Sequence, residues 1–427
     1  MSWRTRWRIY EYVRNSLWIV PALFVLLAIA MGIVIPDIDE SVETTIGISY
    51  GAEAGRGVLG ALAGGMITFT GFVFSILLLA VQFGSSQFSP RMLRRFLRDP
   101  TTKVSLGVFM ATFIYALLVL RVVGTGGDAE FVPSNSISIS LATLLLSMVM
   151  FLRLISRTTQ GLRVAAVLQE LGRDARRVVD RVYPDPVGED EAAQPAIAGP
   201  ATTVAHRGEP GVIQSIDAAG LVERAAAAGT VIELLPRVGE LIATGAPLFR
   251  VAEEGEEIDD AWLQGAVAVG DERTMRQDPA FAFRLLADIS AKALSPGVND
   301  PTTAIQALDQ IELLLRQIGG RRLAPGVRRD EGGVARLLYP VPSWEDFLGL
   351  ALDETRQFGE GSVQVTRRLR ALLEDLREAV PERRRAAIDA ELELLDAAAD
   401  RTFVDRGDRR SAAAGDRQGL GAGRAAA

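Results

Sequence analysis

The chain has 427 residues, 48% of them hydrophobic, with no cysteine and a single histidine, His206. That composition excludes disulfides, thiolate nucleophiles, Cys-ligated metals and any His-based metal site or acid–base dyad within one chain, and no cofactor or metal is expected. The net charge of −7 is uneven, with 18 Lys/Arg against 12 Asp/Glu through residue 183 and 28 against 41 beyond it; so acidic a C-terminal part lacks the basic surface that nucleic-acid phosphates require.

A transmembrane domain is predicted over residues 1–155, with spans at about 17–35, 58–83, 104–120 and 132–152, each apolar, free of charge and near the ~20 residues a spanning helix needs. The first is not read as a signal peptide. Pro36-Asp37 and an acidic stretch follow it, with no small-residue cleavage site. Arginine placement sets the expected orientation. Arg4, Arg6, Arg8 and Arg14, then Arg91, Arg94, Arg95, Arg98 and Lys103, then Arg153, Arg157 and Arg163 belong on the cytoplasmic side. Asp37, Asp39, Glu40 and Glu43, then Asp128 and Glu130, belong outside. Both termini are expected in the cytoplasm of a bacterium, with the chain a multi-pass protein of the inner membrane.

The second span differs from the others. Thirty-four residues between Arg56 and Arg91 carry no charge, about 51 Å of helix against a hydrocarbon core of ~30 Å. Its end, Gln82 to Ser89, is polar, so a span followed by an extension or a bend ending at Pro90 is expected. Gly57, Gly60, Gly64, Thr68, Gly71, Ser75, Gln82, Ser86 and Ser89 recur mostly at three–four spacing on one helical face, with Leu78 or Leu79 interrupting. Two readings fit. Gly60 and Gly64 form a GxxxG pair suited to close helix packing, and intramembrane Thr, Ser and Gln suit a pore or water-facing surface. Gly64, Thr68, Gly71, Ser75, Gln82 and Ser86 are the pore-lining candidates. The basic cluster Arg91, Arg94, Arg95 and Arg98 is explained by topology and attraction to anionic membrane lipids; an anion-attracting vestibule is its second reading.

Beyond the spans, apolar residues from Leu154 to Val179 keep helical spacing and predict a stalk over 156–183 that continues the fourth span. Residues 184–200, acidic and rich in Pro, Gly and Ala, read as a linker. A small β-barrel-like module is expected over 201–252, with strands at Val212–Ile216 and Thr230–Leu235 and a helix capped by Asp217 between them. Its segment from Val238 through Gly239, Gly245 and Pro247 to Val251 is similar to the hairpin of biotinyl/lipoyl-type barrels. No lysine lies between 104 and 291 to carry such a group. His206, without a partner motif, reads as a surface or strand residue.

Residues 257–402 predict a helical domain. Helices open at Asp278-Pro279 and at Asp300-Pro301, the latter with Asp300 as N-cap. Between them lies Ser295-Pro296-Gly297-Val298-Asn299-Asp300-Pro301-Thr302-Thr303, read either as a capped connection or as a binding loop. In the second reading Thr302 and Thr303 beside helix amides hold an anion, Asn299 and Asp300 ligate a cation, and Ser295 completes the set. A hairpin-like stretch, Val334–Tyr339, precedes a helix capped by Ser343 with Asp346 three residues on. From 403 to 427 the composition is aperiodic and a disordered tail is expected.

Three segments carry a family resemblance: Thr68-Phe69-Thr70-Gly71-Phe72-Val73-Phe74-Ser75, Gln82-Phe83-Gly84-Ser85-Ser86-Gln87-Phe88-Ser89-Pro90-Arg91, and Ala293 through the Ser-Pro-Gly-Val-Asn-Asp-Pro run to Ala304. They resemble the bacterial predicted membrane proteins grouped as domain of unknown function 2254, from the first span to about residue 400. The resemblance implies that the polar end of the second span and the 295–303 loop are hallmark sites; it implies no activity. The residues point to a homo-oligomeric membrane protein, an ion channel or pore-like transporter with a cytoplasmic vestibule or sensor domain. The alternative is a membrane-anchored regulatory or scaffold protein whose cytoplasmic domain binds a partner, an ion or a small ligand. No catalytic grouping supports an enzyme, and four spans without an internal repeat or a buried charge argue against a secondary transporter.

Overall fold

The computed structural model describes residues 3–41, 49–87, 99–124, 131–161, 163–188, 197, 199–323 and 326–421, with backbone alone at 85–87. They fall into two compact units. One is Tyr10–Arg163; the other is Val164–Ala427 together with Met1–Ile9, so that α1 (Trp3–Asn15) crosses the division.

The first unit holds four helices long and apolar enough to cross a membrane. These are α2 (Ile19–Ser41), α3 (Ala52–Gln87), α4 (Pro100–Val122) and α5 (Ser134–Gly161). The shortest predicted span is the central one: α2, α3 and α5 all pack on α4. Its apolar stretch is 56% buried, against 17–22% in the others. Asp99 caps α4, accepting from Thr102 N at 3.1 Å, and Pro100 opens it. Two hydroxyls of α4 find partners on α5. Ser105 Oγ donates to Met150 O at 3.3 Å, and Thr112 Oγ1 lies 3.1 Å from Ser147 Oγ. Such pairing is what a helix interior to a membrane bundle needs. Phe69 of α3 sets its ring edge-on to Phe109 of α4 and Phe151 of α5, at 5.2 and 4.8 Å. Small residues admit large ones between α2 and α4. A Cβ added at Gly32 would lie 2.8 Å from Leu118, and one at Gly107 would lie 2.8 Å from the Phe24 ring. Asp39 of α2 accepts from Ser136 N and Oγ at 2.8 and 2.7 Å, tying the end of α2 to the start of α5.

Two span expectations are adjusted. The first helix runs past 35, through Pro36, to Ser41. The second is one helix of 36 residues, about 54 Å, which extends past the expected span end at 83 to Gln87; Phe88–Pro90 lie outside the described residues.

The second unit begins with α6 (Val164–Val182), whose face Val167, Leu168, Leu171, Ala175, Val178 and Val179 is buried against α9 (Pro279–Ala293) and α10 (Pro301–Gly319). The expected stalk over 156–183 is thus corrected. The helix of the fourth span ends at Gly161, and α6 belongs to the core of the other unit. A continuous helical period could not reveal this, because one stripe serves a free-standing stalk and a packed helix equally.

Two sheets follow. The larger has the order β1 (Ala201–Ala205), β5 (Pro247–Ala252), β3 (Ile232–Leu234), β8 (Ala335–Tyr339), β7 (Gly326–Arg329); the smaller is β4 (Leu241–Ile242), β2 (Gly211–Ile216), β6 (Val267–Gly270). All pairs are antiparallel except β3 with β8, where Ile232 faces Leu337. Helix α7 (Ala218–Ala228), capped by Asp217, shares their core, in which Ile213, Leu221, Ile232, Phe249, Leu263 and Leu337 are buried. The expected self-contained module over 201–252 is therefore corrected: strands from 267–339 complete both sheets. The Gly239 and Gly245 turns of the hairpin do form, both at positive φ.

The remaining helices are α8 (Asp260–Gly265), α11 (Trp344–Phe358), α12 (Val363–Ala379), α13 (Arg385–Thr402) and α14 (Arg406–Ala412). Ser343 and Asp346 make a full capping box. The expected disordered tail is corrected through residue 421. Asp405 caps α14, Ala412 is buried, and Arg417 pairs with Asp375 of α12 through bonds of 2.8 and 2.7 Å. The segment docks by ion pairs, Phe403 and Ala412, too few apolar residues to make a period that can be read.

Asp278 caps α9 and is buried beside Arg273, which donates to Oδ2 at 2.9 and 2.7 Å. Burial raises its carboxyl above the usual range, against the pull of Arg273. The folded state then holds the proton more tightly than the unfolded state. The resulting stability is present below the unfolded value, about 3.9, and is lost as pH rises through the folded value. The stability margin of the wild type over Asp278→Asn is therefore expected to shrink as pH rises from about 4. Thermal unfolding of the full chain in detergent measures it. A margin that widens with pH would mean that the Arg273 pairing outweighs burial.

Candidate functional site

Helix α3 has two faces. Ala52, Leu59, Leu62, Ala63, Met66, Val73 and Ala80 are buried, and Gly55 sits with a Cβ position 2.9 Å from Ile137 of α5. At ~3.6 residues per turn, Gly57, Gly60, Gly64, Thr68, Gly71, Ser75 and Gln82 fall on the opposite side, and all are exposed. A Cβ built at Gly57, Gly60, Gly64 or Gly71 meets nothing within 4 Å among the described residues. The small residues that do serve packing inside the chain are others: Gly32, Gly55 and Gly107.

The hydroxyls on this face turn back onto their own helix. Thr68 Oγ1 donates to Gly64 O at 3.1 Å and Ser75 Oγ to Gly71 O at 3.0 Å. Their protons are thus satisfied, while oxygen lone pairs remain on the surface. Ser86 continues the series on the helix backbone. Arg91, Arg94, Arg95 and Arg98 lie outside the described residues.

The 295–303 loop joins α9 to α10. Asp300 spends its carboxylate on the cap, accepting from Thr303 N at 3.1 Å and Thr303 Oγ1 at 2.6 Å. Ser295 Oγ donates to Lys292 O, and Asn299, at φ 47, donates its N–H to Ser295 O. Thr302 is exposed and Pro301 opens the helix. The five candidates are brought together in one turn, with the polar groups of Ser295, Asp300 and Thr303 engaged within it.

No group of His, Asp and Glu among the described residues is placed to hold a metal. His206, expected as a surface or strand residue, is not on the surface; its backbone pairs with Ala246 and Gly245. It is buried just beyond β1, with Nε2 3.0 Å from Glu209 O and Gly208 against its ring. Two buried arginines escaped sequence reading. Arg368 of α12 bonds Asp309 and Glu312 of α10 at 3.0 and 2.6 Å, and Arg384 bonds three carbonyls. Both sit in arginine-rich runs, where nothing local sets one arginine apart.

The family described as Predicted membrane protein (DUF2254) matches residues 14–375. Uncharacterized proteins of Mycobacterium bovis (Mb1321c) and Mycobacterium tuberculosis (Rv1290c) are each 30% identical to the chain over 414 residues, covering 94% of it and 79% of their own length. No solved structure matches the chain.

Proposed function

This chain belongs to the family of predicted membrane proteins of domain of unknown function 2254, and we propose that it assembles as a homo-oligomeric, pore-like transport protein with α3 around the axis. One observation carries the reading: the small and polar face of α3 is exposed, opposite the face that packs within the chain. Small side chains leave room along an axis, and hydroxyl lone pairs offer acceptors to a hydrated cation. In this reading the protein lies in the bacterial inner membrane with both termini cytoplasmic. The second unit serves as vestibule or sensor, and no catalytic role is assigned.

The second reading, a membrane-anchored regulatory or scaffold protein, is favoured by the hydroxyl bonds of Thr68 and Ser75. Satisfied protons allow that face to lie against lipid or another helix without water. The 295–303 loop would then take a partner or small ligand.

Planar-bilayer recording separates the two. Thr68→Phe and Ser75→Phe are each expected to reduce wild-type conductance several-fold. Wild-type protein that passes no current across ions and voltages would exclude the pore.

A further inference from the structure

Helices α2 and α3 both pack on α4 but leave a groove of about 870 Å³ between them. Ala22 of α2, Ile67 and Phe74 of α3, and Leu106 and Met110 of α4 line it, with Trp18 at one end. The lining extends ~10–14 Å along the helices and is almost wholly apolar. A groove of this character on a membrane-spanning unit suits an acyl chain.

At the end marked by Trp18 and Leu106 the exposed charge is the cation Arg14, since Glu11 is buried and Asp99 pairs with Arg157. Arg14 is exposed in the last turn of α1, across the break at 16–18 from the start of α2, and Lys103 lies one turn before Leu106 on α4. Lys103 Nζ donates to Arg14 O at 2.6 Å, which holds the end of α1 to the start of α4 and sets both cations at the same end. Glu11, on the preceding turn, accepts from Asn15 Nδ2 at 3.1 Å. Between Asn15 and the groove, the hydroxyl of Ser16 is buried and has no hydrogen-bond partner among the described residues. Trp18 is 61% exposed, and an amphipathic ring of this kind anchors at the headgroup level.

We infer that this groove binds an anionic glycerophospholipid, its acyl chain between α2 and α3 and its phosphate at the Arg14 guanidinium. An arginine fork matches phosphate oxygens in charge and geometry. A zwitterionic lipid would set its own ammonium near the same cation. The inference does not depend on a pore.

The full-length chain, reconstituted in vesicles containing acyl-brominated phosphatidylglycerol or phosphatidylcholine, tests it. The Trp18 signal is the difference in fluorescence between wild type and Trp18→Phe. Half-quenching is expected at a several-fold lower mole fraction of the glycerol lipid than of the choline lipid. Arg14→Gln should bring the two curves together, and Ala22→Phe, which fills the groove, should weaken quenching by both. Coincident wild-type curves would mean ordinary surrounding lipid and overturn the site. Curves still separated in Arg14→Gln would overturn the phosphate contact, and undiminished quenching in Ala22→Phe would place the lipid outside the groove.

Discussion

Replacing Arg384 by alanine is expected to lower stability by about 3–5 kcal/mol, with a fall in Tm on the order of 10 °C. Arg384 ends a 3₁₀ turn, Glu382–Arg384, and is 4% exposed. Its Nη1 donates to Ile318 O and Gly319 O at 2.9 and 2.8 Å, and its Nη2 to Arg321 O at 2.7 Å. These are carbonyls at and just beyond the C-terminus of α10, where a helix has no N–H donors of its own to offer them and a cation is favoured. The guanidinium also lies 5.3 Å from the ring centre of Trp344, the first residue of α11, whose Nε1 donates back to Arg384 O at 3.1 Å. One side chain therefore ties the end of α10, the start of α11 and the approach to α13. Alanine would take this donor from three carbonyls, of which Ile318 O keeps the Arg321 N–H at 3.0 Å; each one left unpaired costs roughly 1–3 kcal/mol before water enters. Lysine keeps the charge but loses the fork, and should recover only part of the loss. Alanine at Arg377, exposed and paired with Asp389, should cost under about 1 kcal/mol. Thermal unfolding of the full chain in detergent, followed by tryptophan fluorescence, reads all three. A loss at Arg384 as small as that at Arg377 would sink the argument.

The same residue shows where sequence reading stops. The N-caps Asp217, Asp300 and Ser343 were legible because a cap is a bond between a side chain and a backbone N–H two or three residues away. The four spans were legible because charge-free length is itself the signal. Arg384 was not, because its acceptors lie more than sixty residues back. The β3–β8 pairing failed for the same reason. Three residues at Ile232–Leu234 join a strand about a hundred positions on, in parallel, with no turn to announce it. In the candidate site, periodicity placed Gly64, Thr68, Gly71 and Ser75 on one face. It could not tell whether that face looked inward or outward, since inward packing and outward exposure use the same spacing.

That direction sets up the second large effect, a contrast between two glycines. Gly107→Leu is expected to disrupt the packing of α2 on α4. The Cβ alone would stand 2.8 Å from the Phe24 ring, and a leucine adds three further carbons to a filled contact, for a cost of about 3 kcal/mol or more. At Gly64 a Cβ meets nothing within 4 Å among the described residues. For the isolated chain Gly64→Leu should be neutral or stabilising by up to ~1 kcal/mol, since glycine is a poor helix former. In an assembly built around α3 the order reverses. The new side chain at Gly64 would project into the axis or the contact between copies, so conductance or oligomer mass should fall while the Tm of the chain holds. Thermal unfolding in detergent, mass measurement of the solubilised particle and bilayer recording on both variants read the contrast. A Gly64→Leu protein with wild-type mass and wild-type conductance would assign that face to lipid. The small residues of α3 would then be accounted for by neither packing nor a pore, and the pore reading would fail at the observation that carries it.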